Sequence, residues 1–400
     1  MALLPLPEAQ ARLLALAVPL PIERVPVAEA LGRYLAEPLT ALRTQPPADL
    51  SAMDGYALRA ADLPGPWRVI GESACGHPFS GSVASGEAVR IATGALMPAG
   101  ADMVLMQEDA AREGDRLTLT GTPPDPTGRH IRREGMDFRQ EAVQLPAGTR
   151  LGPAQLALAL AAGHGHLAVR RRPRVLLIDS GDELSSDPSA CAPHQIPASN
   201  GVMIAAQIEA ALPCTVTRIG PVADRMEALA EALAQAGEAD VVVTTGGASV
   251  GDHDLIRPAL AAWGAELDFW KVAVRPGKPV MVARRGHQLA VGLPGNPVSS
   301  HVIAYLFLLP LLRALLGAAH PLPRAISALA AEDLPAAGPR REFLRAAWDG
   351  AGVSVQLNQD SGALGALAAS NALIERIEHA GAVRAGEPVA VYLLENGGIA

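Results

Sequence analysis

Four segments concentrate chemistry in this sequence. SGDEL (180–184) follows the apolar run Val175 to Ile178. Its glycine permits a tight turn, and Asp182 and Glu183 supply the hard oxygens that hold Mg²⁺ or a sugar hydroxyl. A helix-capping turn explains the same residues equally well. TTGGASVGDHD (244–254) follows a second apolar run over 240–244. The backbone amides of Gly246, Gly247 and Ser249 suit a phosphate, and a helix start there adds positive dipole. Asp252 and Asp254 are further oxygen donors for Mg²⁺. The alternative is a plain turn. GLPGNPVSS (292–300) precedes a helix from His301. Pro294 and Pro297 stiffen it, Gly295 allows close backbone approach, Asn296 lies between them, and Ser299 or Ser300 is placed to cap the helix. Its amide-rich start reads as an anion site, or else as a rigid connection. Between the last two segments, KVAVRPGKP puts Lys271, Arg275 and Lys278 within eight residues. On a strand, residues 271 and 275 share a face. Beside two anion-type loops, these cations favour oxyanion or phosphate binding over a solvated edge.

Several other chemistries lack their residues. No GxxxxGK[ST], GxGxxG, HExxH or GxSxG pattern occurs. The histidines are scattered; His164 and His166 flank a helix end, and His253 sits in the second loop. Cys75, Cys191 and Cys214 are far apart and odd in number, so they read as buried or incidental thiols in a reducing compartment.

The elements that must position these residues follow from periodicity. Over 171–317, strand and helix alternate: strands at 175–178, 215–219 and 240–244, helices at 202–212 and 225–237. That order predicts a doubly wound α/β domain with a parallel sheet, whose ligands bind at the carboxyl ends of the strands. The three loops all follow such ends. Residues 42–140 instead carry short, evenly spaced strands at 67–70, 88–91, 103–106 and 117–119, a small β domain. It is bracketed by helix, extended segment and helix over 1–40 (the second helix over 27–39) and by a helix from Pro153 closed at Gly163. The β domain therefore reads as an insertion. Residues 318–400 lose the helical period, and strand-like runs at 353–357 and 389–393 predict a C-terminal β domain.

Composition bounds the rest. Net charge is −8, and the basic residues form only short clusters such as Arg170-Arg171-Arg172, which excludes a broad duplex-binding surface. The most apolar run, 302–312, is about half a membrane span and is closed by Arg313, so a buried helix is expected. The N-terminal residues lack the basic start and cleavage site of a signal peptide. A cytoplasmic protein with neither nucleic acid nor a membrane as partner is expected.

The chain resembles the MoeA family, the molybdopterin molybdenumtransferases, represented also by the E domain of gephyrin. The resemblance rests on SAMDGYA (51–57), RIATGA (90–95), RREGMD (132–137), RPRVLLIDSGDEL (172–184), TTGGASVGDHD (244–254), KVAVRPGKP (271–279) and GLPGNPVSS (292–300), in the family's order. It implies an α/β multidomain subunit of a homodimer. The parts are an elongated helical/extended domain (1–41 and 141–170), an inserted β domain (42–140), a MogA-like α/β domain (171–317) and a C-terminal β domain (318–400). It implies insertion of molybdate into adenylylated molybdopterin with release of AMP and with Mg²⁺, in a cleft between the α/β domain and the partner subunit's β insertion. A MogA-type adenylyltransferase is a further candidate partner. By the motifs, Asp54, Thr93 and Asp137 carry over from the β domain. Glu183, Asp224 and Asp254 carry over as acidic positions; Lys271, Arg275, Pro294, Pro297 and Arg340 carry over as basic and proline positions. From spacing alone, the three β-domain motifs are surface turns with no link to the α/β domain. The chain departs from the family at Ser180 (commonly Thr), Ala248 (commonly Val), Arg275 (often Lys) and across 185–197. Arg275 offers a planar fork in place of a point charge.

Two other readings use the same residues. The related adenylyltransferase shares the α/β domain but needs neither β domain; it would consume ATP with free molybdopterin. A scaffold of the gephyrin type would show no AMP formation dependent on molybdate.

Overall fold

The computed structural model describes residues 3–246 and 255–394. Its central sheet has six strands in the spatial order Thr215–Val222, Arg174–Ser180, Val241–Thr245, Gln288–Leu293, Met281–Arg285, Glu266–Trp270. The first four are parallel. Met281–Arg285 runs antiparallel to both of its neighbours, so the sheet is mixed where an all-parallel one was expected. The reason is local: Met281–Arg285 turns back through Gly286 into Gln288–Leu293, a hairpin too short for a crossover helix.

Successive residues of the Arg174–Ser180 strand serve two cores. Val175 and Leu177 pack with Ile204 and Ile208 of the Asn200–Ala211 helix on one face. Leu176 and Ile178 pack with Leu229 and Ile256 on the other. Burial on both faces is why this strand is an uninterrupted apolar run. The helical stretch Pro297–Leu315 passes for a membrane span by length and composition, yet 89% of it is buried inside the protein, as a core helix is. It carries a π segment at Ala304–Leu308 ahead of Pro310.

The first helix, Leu6–Leu16, buries Leu6, Ala9 and Leu13 in the same core as that long helix. The second expected helix does not form. Residues 27–29 make one 3₁₀ turn, Gly32 is left-handed, and Tyr34 and Leu35 bridge to Arg150 and Val169. Val27, Ala30 and Leu35 are buried at a helix-like spacing, but the chain reaches that core by turning over it. The Pro153–Ala161 helix and its left-handed Gly163 are as expected.

The inserted sheet has the order Met103–Met106, Gly55–Leu58, Glu87–Ile91, Trp67–Ser73, Arg116–Leu119, Ala110–Glu113. In the C-terminal region, Arg341–Trp348, Gly352–Val355, Ile326–Ala330, Pro388–Leu393 and Ala372–Arg376 pair in that order. The last strand pairs back to the first, closing a five-stranded barrel. A short helix, Leu364–Ala368, interrupts it. Val274–Arg275 pairs with Arg341–Trp348 and so ties the cation segment to the barrel.

Candidate functional site

The first and third loops and residues 244–246 of the second meet at the carboxyl end of the central sheet. Gly246 has φ +87, and a Cβ there would lie 2.4 Å from the Ser180 carbonyl oxygen. A Cβ on Gly295 would lie 3.5 Å from the Gly246 Cα. Glycine at these positions lets the chains approach to backbone contact. Asn200, first residue of its helix, donates its side-chain amide to the Gly295 carbonyl at 2.6 Å. Asp182 Oδ1 accepts from the Asp224 amide at 3.0 Å, which brings those two acidic residues together across neighbouring strands. Glu183 is exposed and folds its carboxylate over Gly181. Gly247, Ser249, Asp252 and Asp254 lie outside the described residues.

At the third loop, the helix begins at Pro297 with Asn296 preceding it, and no side chain caps it. Ser299 and Ser300 are buried inside the first turn, so neither is the cap that the sequence suggested; Ser300 Oγ donates to the Pro294 carbonyl instead. Ser361, from the C-terminal region, takes part of the helix start. Its carbonyl accepts from the Val298 amide at 3.1 Å, and its hydroxyl accepts from the Asn296 side chain at 3.0 Å. Pro297 has no N–H to give. The helix start thus offers an anion fewer amides than its sequence implies. Sequence reasoning missed both Ser361 and Asn200, because neither sits in a run whose spacing points at the crevice.

The cations do not share one strand face. Lys271 has φ +71, which breaks the extended run between Glu266–Trp270 and Val274–Arg275 and overturns the same-face expectation. Its ammonium lies 4.0 Å from the centre of the Trp270 ring. Arg275 pairs with Glu342 at 3.2 Å but is 61% exposed, so the pair contributes little and leaves the guanidinium available. Arg340 reaches the Val274 carbonyl at 3.5 Å, beside that pair. Lys278 is exposed. Gly277, at φ +100, packs against Ile303, so the cation segment lies on the helix that follows the third loop.

The β-domain motifs form a second cluster. The Ser51 amide donates to the Ala95 carbonyl at 2.9 Å, and the Ser51 carbonyl accepts from Gly94 at 2.8 Å. Ser51 also pairs with Ile131 in a short antiparallel ladder. The three segments that looked unrelated are therefore neighbours around Ser51. Asp54 Oδ1 accepts from the Thr93 amide at 2.7 Å. That hydrogen bond holds the Asp54 carboxyl below the usual carboxylate range, with Arg90 adding a smaller pull. Arg90 spans the Gly55 carbonyl and the Gln107 side chain, both at 2.8 Å, and stacks over Tyr56. Asp137 is exposed on the turn after the Ile131–Arg132 strand, its amide bonded to the Gln45 carbonyl. Among the described residues, no hydrogen bond joins Asp54, Thr93 or Asp137 to the central sheet.

The cysteines differ from one another. Cys75 is exposed and donates to the Thr93 carbonyl at 3.1 Å, whereas burial pushes the Cys214 thiol up to about 12. Only a thiolate is alkylated readily. At pH 8, iodoacetamide should therefore label Cys75 in the folded protein and leave Cys214 intact, read by peptide mass; early labelling of Cys214 would contradict its burial.

Comparison with known proteins yields one consistent result. Residues 4–163 match the MoeA N-terminal region (domains I and II), residues 177–314 a probable molybdopterin-binding domain, and residues 327–394 the MoeA C-terminal region (domain IV). The chain is 34% identical to a molybdopterin molybdenumtransferase of Haemophilus influenzae, over 97% of this chain and 98% of that one. It is 37% identical to one from a Nostoc species, over 72% and 68% respectively. A crystal structure of a molybdopterin biosynthesis MoeA protein from Pyrococcus horikoshii superposes with TM-score 0.84 at 30% identity, covering 98% of this chain and all of that one.

Proposed function

The chain belongs to the MoeA family, and on that premise we propose that it is a molybdopterin molybdenumtransferase that inserts molybdate into adenylylated molybdopterin and releases AMP. Membership puts it in molybdenum cofactor biosynthesis. The observation that carries the finer reading is the meeting of the Ser180, Gly246 and Gly295 segments at one sheet edge, with Lys271, Arg275, Lys278 and Arg340 on the adjoining hairpin and barrel. Molybdate and the pterin pyrophosphate are both anionic. Glycine-lined backbone allows their oxygens close approach, and fixed cations stabilise charge on the departing AMP phosphate. The bond broken is the phosphoanhydride; water or a molybdate oxygen forms the new bond to phosphorus, so no nucleophilic side chain is required.

Mg²⁺ fits this edge by donor chemistry. Asp182 is a hard oxygen donor whose carboxylate accepts from the Asp224 backbone amide, so a second acidic residue adjoins it. Among the described residues no three His, Cys, Asp or Glu side chains gather as a metal cage. That agrees with Mg²⁺, which ordinarily binds through one or two carboxylates, substrate phosphates and waters. Asp182, with Asp224 adjoining it, would hold the ion together with substrate phosphates, and when bound it would neutralise the pyrophosphate.

Asp54, Thr93 and Asp137 complete the site from the partner subunit in this reading. Two observations support it. Among the described residues their hydrogen bonds stay within residues 42–140, and an apolar groove of about 970 Å³, lined by Met203, Ala206, Ala210, Tyr305, Leu309 and Leu367, offers a second copy a face to cover. The cytoplasm and a MogA-type adenylyltransferase supplying the substrate follow from the same reading.

The test is incubation with adenylylated molybdopterin, Mg²⁺ and molybdate or tungstate, following AMP. Saturable AMP release that requires the oxyanion is expected. Consumption of ATP with free molybdopterin, or no AMP under any condition, would overturn the assignment.

A further inference from the structure

Asp179 takes no part in the chemistry above, yet it is only 7% exposed at the end of the Arg174–Ser180 strand. Oδ1 accepts from the Thr245 hydroxyl, and Oδ2 lies against Gly201, whose amide adds a second pull on the carboxylate. The space around it is made by two glycines. A Cβ on Gly201 would lie 2.0 Å from Oδ2, and one on Gly220 would lie 2.6 Å from the Asp179 carbonyl oxygen. Glycine weakens a helix, and a carboxylate out of water is costly. Burial raises Asp179 above the ordinary carboxylate range, against the opposing pull of the Thr245 and Gly201 donors. A fold that keeps both features has a use for the carboxylate.

That use is visible in what its two donors hold. Thr245 precedes Gly246, which sits on the Ser180 carbonyl. Gly201 follows Asn200, whose side chain holds the Gly295 carbonyl at 2.6 Å. Two arms from one carboxylate therefore end on the two glycines that face each other across the crevice. We propose that Asp179 is a positioning residue that sets the spacing of the Gly246 and Gly295 loops, and thereby the grip on the substrate's phosphates. The substrate part of this inference rests on the functional reading above.

Asp179→Asn is the sharpest probe, because it is nearly isosteric. Its NH₂ must face one of the two groups; facing Thr245, it forces that hydroxyl to accept where it now donates, and in either orientation the charge that strengthens both contacts is lost. KM for adenylylated molybdopterin should rise about tenfold or more, the size of a lost charge-assisted hydrogen bond. The melting temperature should stay within a few degrees of the parent. Hydrogen exchange of the free protein should quicken at 244–246 and 295–296 and stay unchanged in the Glu266–Trp270 strand. Gly201→Ala keeps the carboxylate but displaces it, and should quicken the same amides; it serves if the first variant does not fold. Unchanged exchange and KM in the folded variants, or a fall in melting temperature with KM unchanged, would overturn the proposal. If the parent itself releases no AMP, the functional reading fails, and the exchange experiment still decides whether Asp179 sets the loops.

Discussion

An Asp54→Ala chain and a Lys271→Ala chain, each inactive alone, should regain turnover when mixed and allowed to exchange subunits. Asp54 belongs to the inserted sheet and Lys271 to the central-sheet hairpin, and among the described residues no hydrogen bond links the two clusters. If the cleft is built from both subunits, a heterodimer carries both lesions in one site and none in the other. Random exchange of equal amounts in a two-fold dimer then yields about a quarter of the parent activity. Each lesion alone removes a fixed charge from the site, and losses of about 100-fold or more are usual for such groups. Both side chains reach solvent, so the fold should survive each replacement. AMP release by the mixture, against each variant alone, is the measurement. A mixture no more active than its components would place the whole site within one chain.

Gly246→Ala should abolish turnover through geometry alone. The residue is left-handed at φ +87, and its new methyl would stand 2.4 Å from the Ser180 backbone oxygen. That oxygen belongs to a strand packed on both faces and cannot swing aside as a side-chain tip would. The Gly246 turn must move instead, away from Gly295 and out of the crevice. A displacement of about 1 Å in a positioning element commonly costs about 100-fold in rate. The accompanying loss of stability should be about 1–3 kcal/mol. Gly286→Ala is the control. Gly286 is also left-handed, at φ +59, but nothing lies within 4 Å of its Cβ position. It should show a small stability loss, read by urea unfolding, and unchanged AMP release. Equal activity losses in the two variants would mean that strain in general, and not the crevice, is responsible.

Much of the fold is legible in the chain because local periodicity and burial agree. Val175 to Ile178 is wholly apolar, and the strand is covered on both faces. Pro153 and Gly163 bracket a helix at the two places where those residues fit. The four short strands of the insertion lie where alternation and turns put them. The failures have one physical origin, which is that spacing along a chain cannot report a change of direction. Residues 27–39 carry a helix-like pattern of buried positions, but a left-handed Gly32 turns the chain over its core. Lys271 and Arg275 are spaced for one strand face, but the backbone reverses hand at Lys271.

By itself, then, the sequence determined the doubly wound domain, its β-rich neighbours, the glycine-lined loops and the cations beside them. These follow from side-chain periodicity and from residue types that tolerate few backbone conformations. Only the tertiary structure decided which groups meet. It gathered Ser51, Asp54, Thr93 and Ile131 into one cluster and let Ser361 cover an amide that a bare helix start would leave open. It also buried Asp179, a residue that looks like an ordinary solvent-facing strand end, between Thr245 and Gly201. Those contacts join positions far apart in the chain, and their energies come from burial and hydrogen bonding that exist only once the strands are side by side.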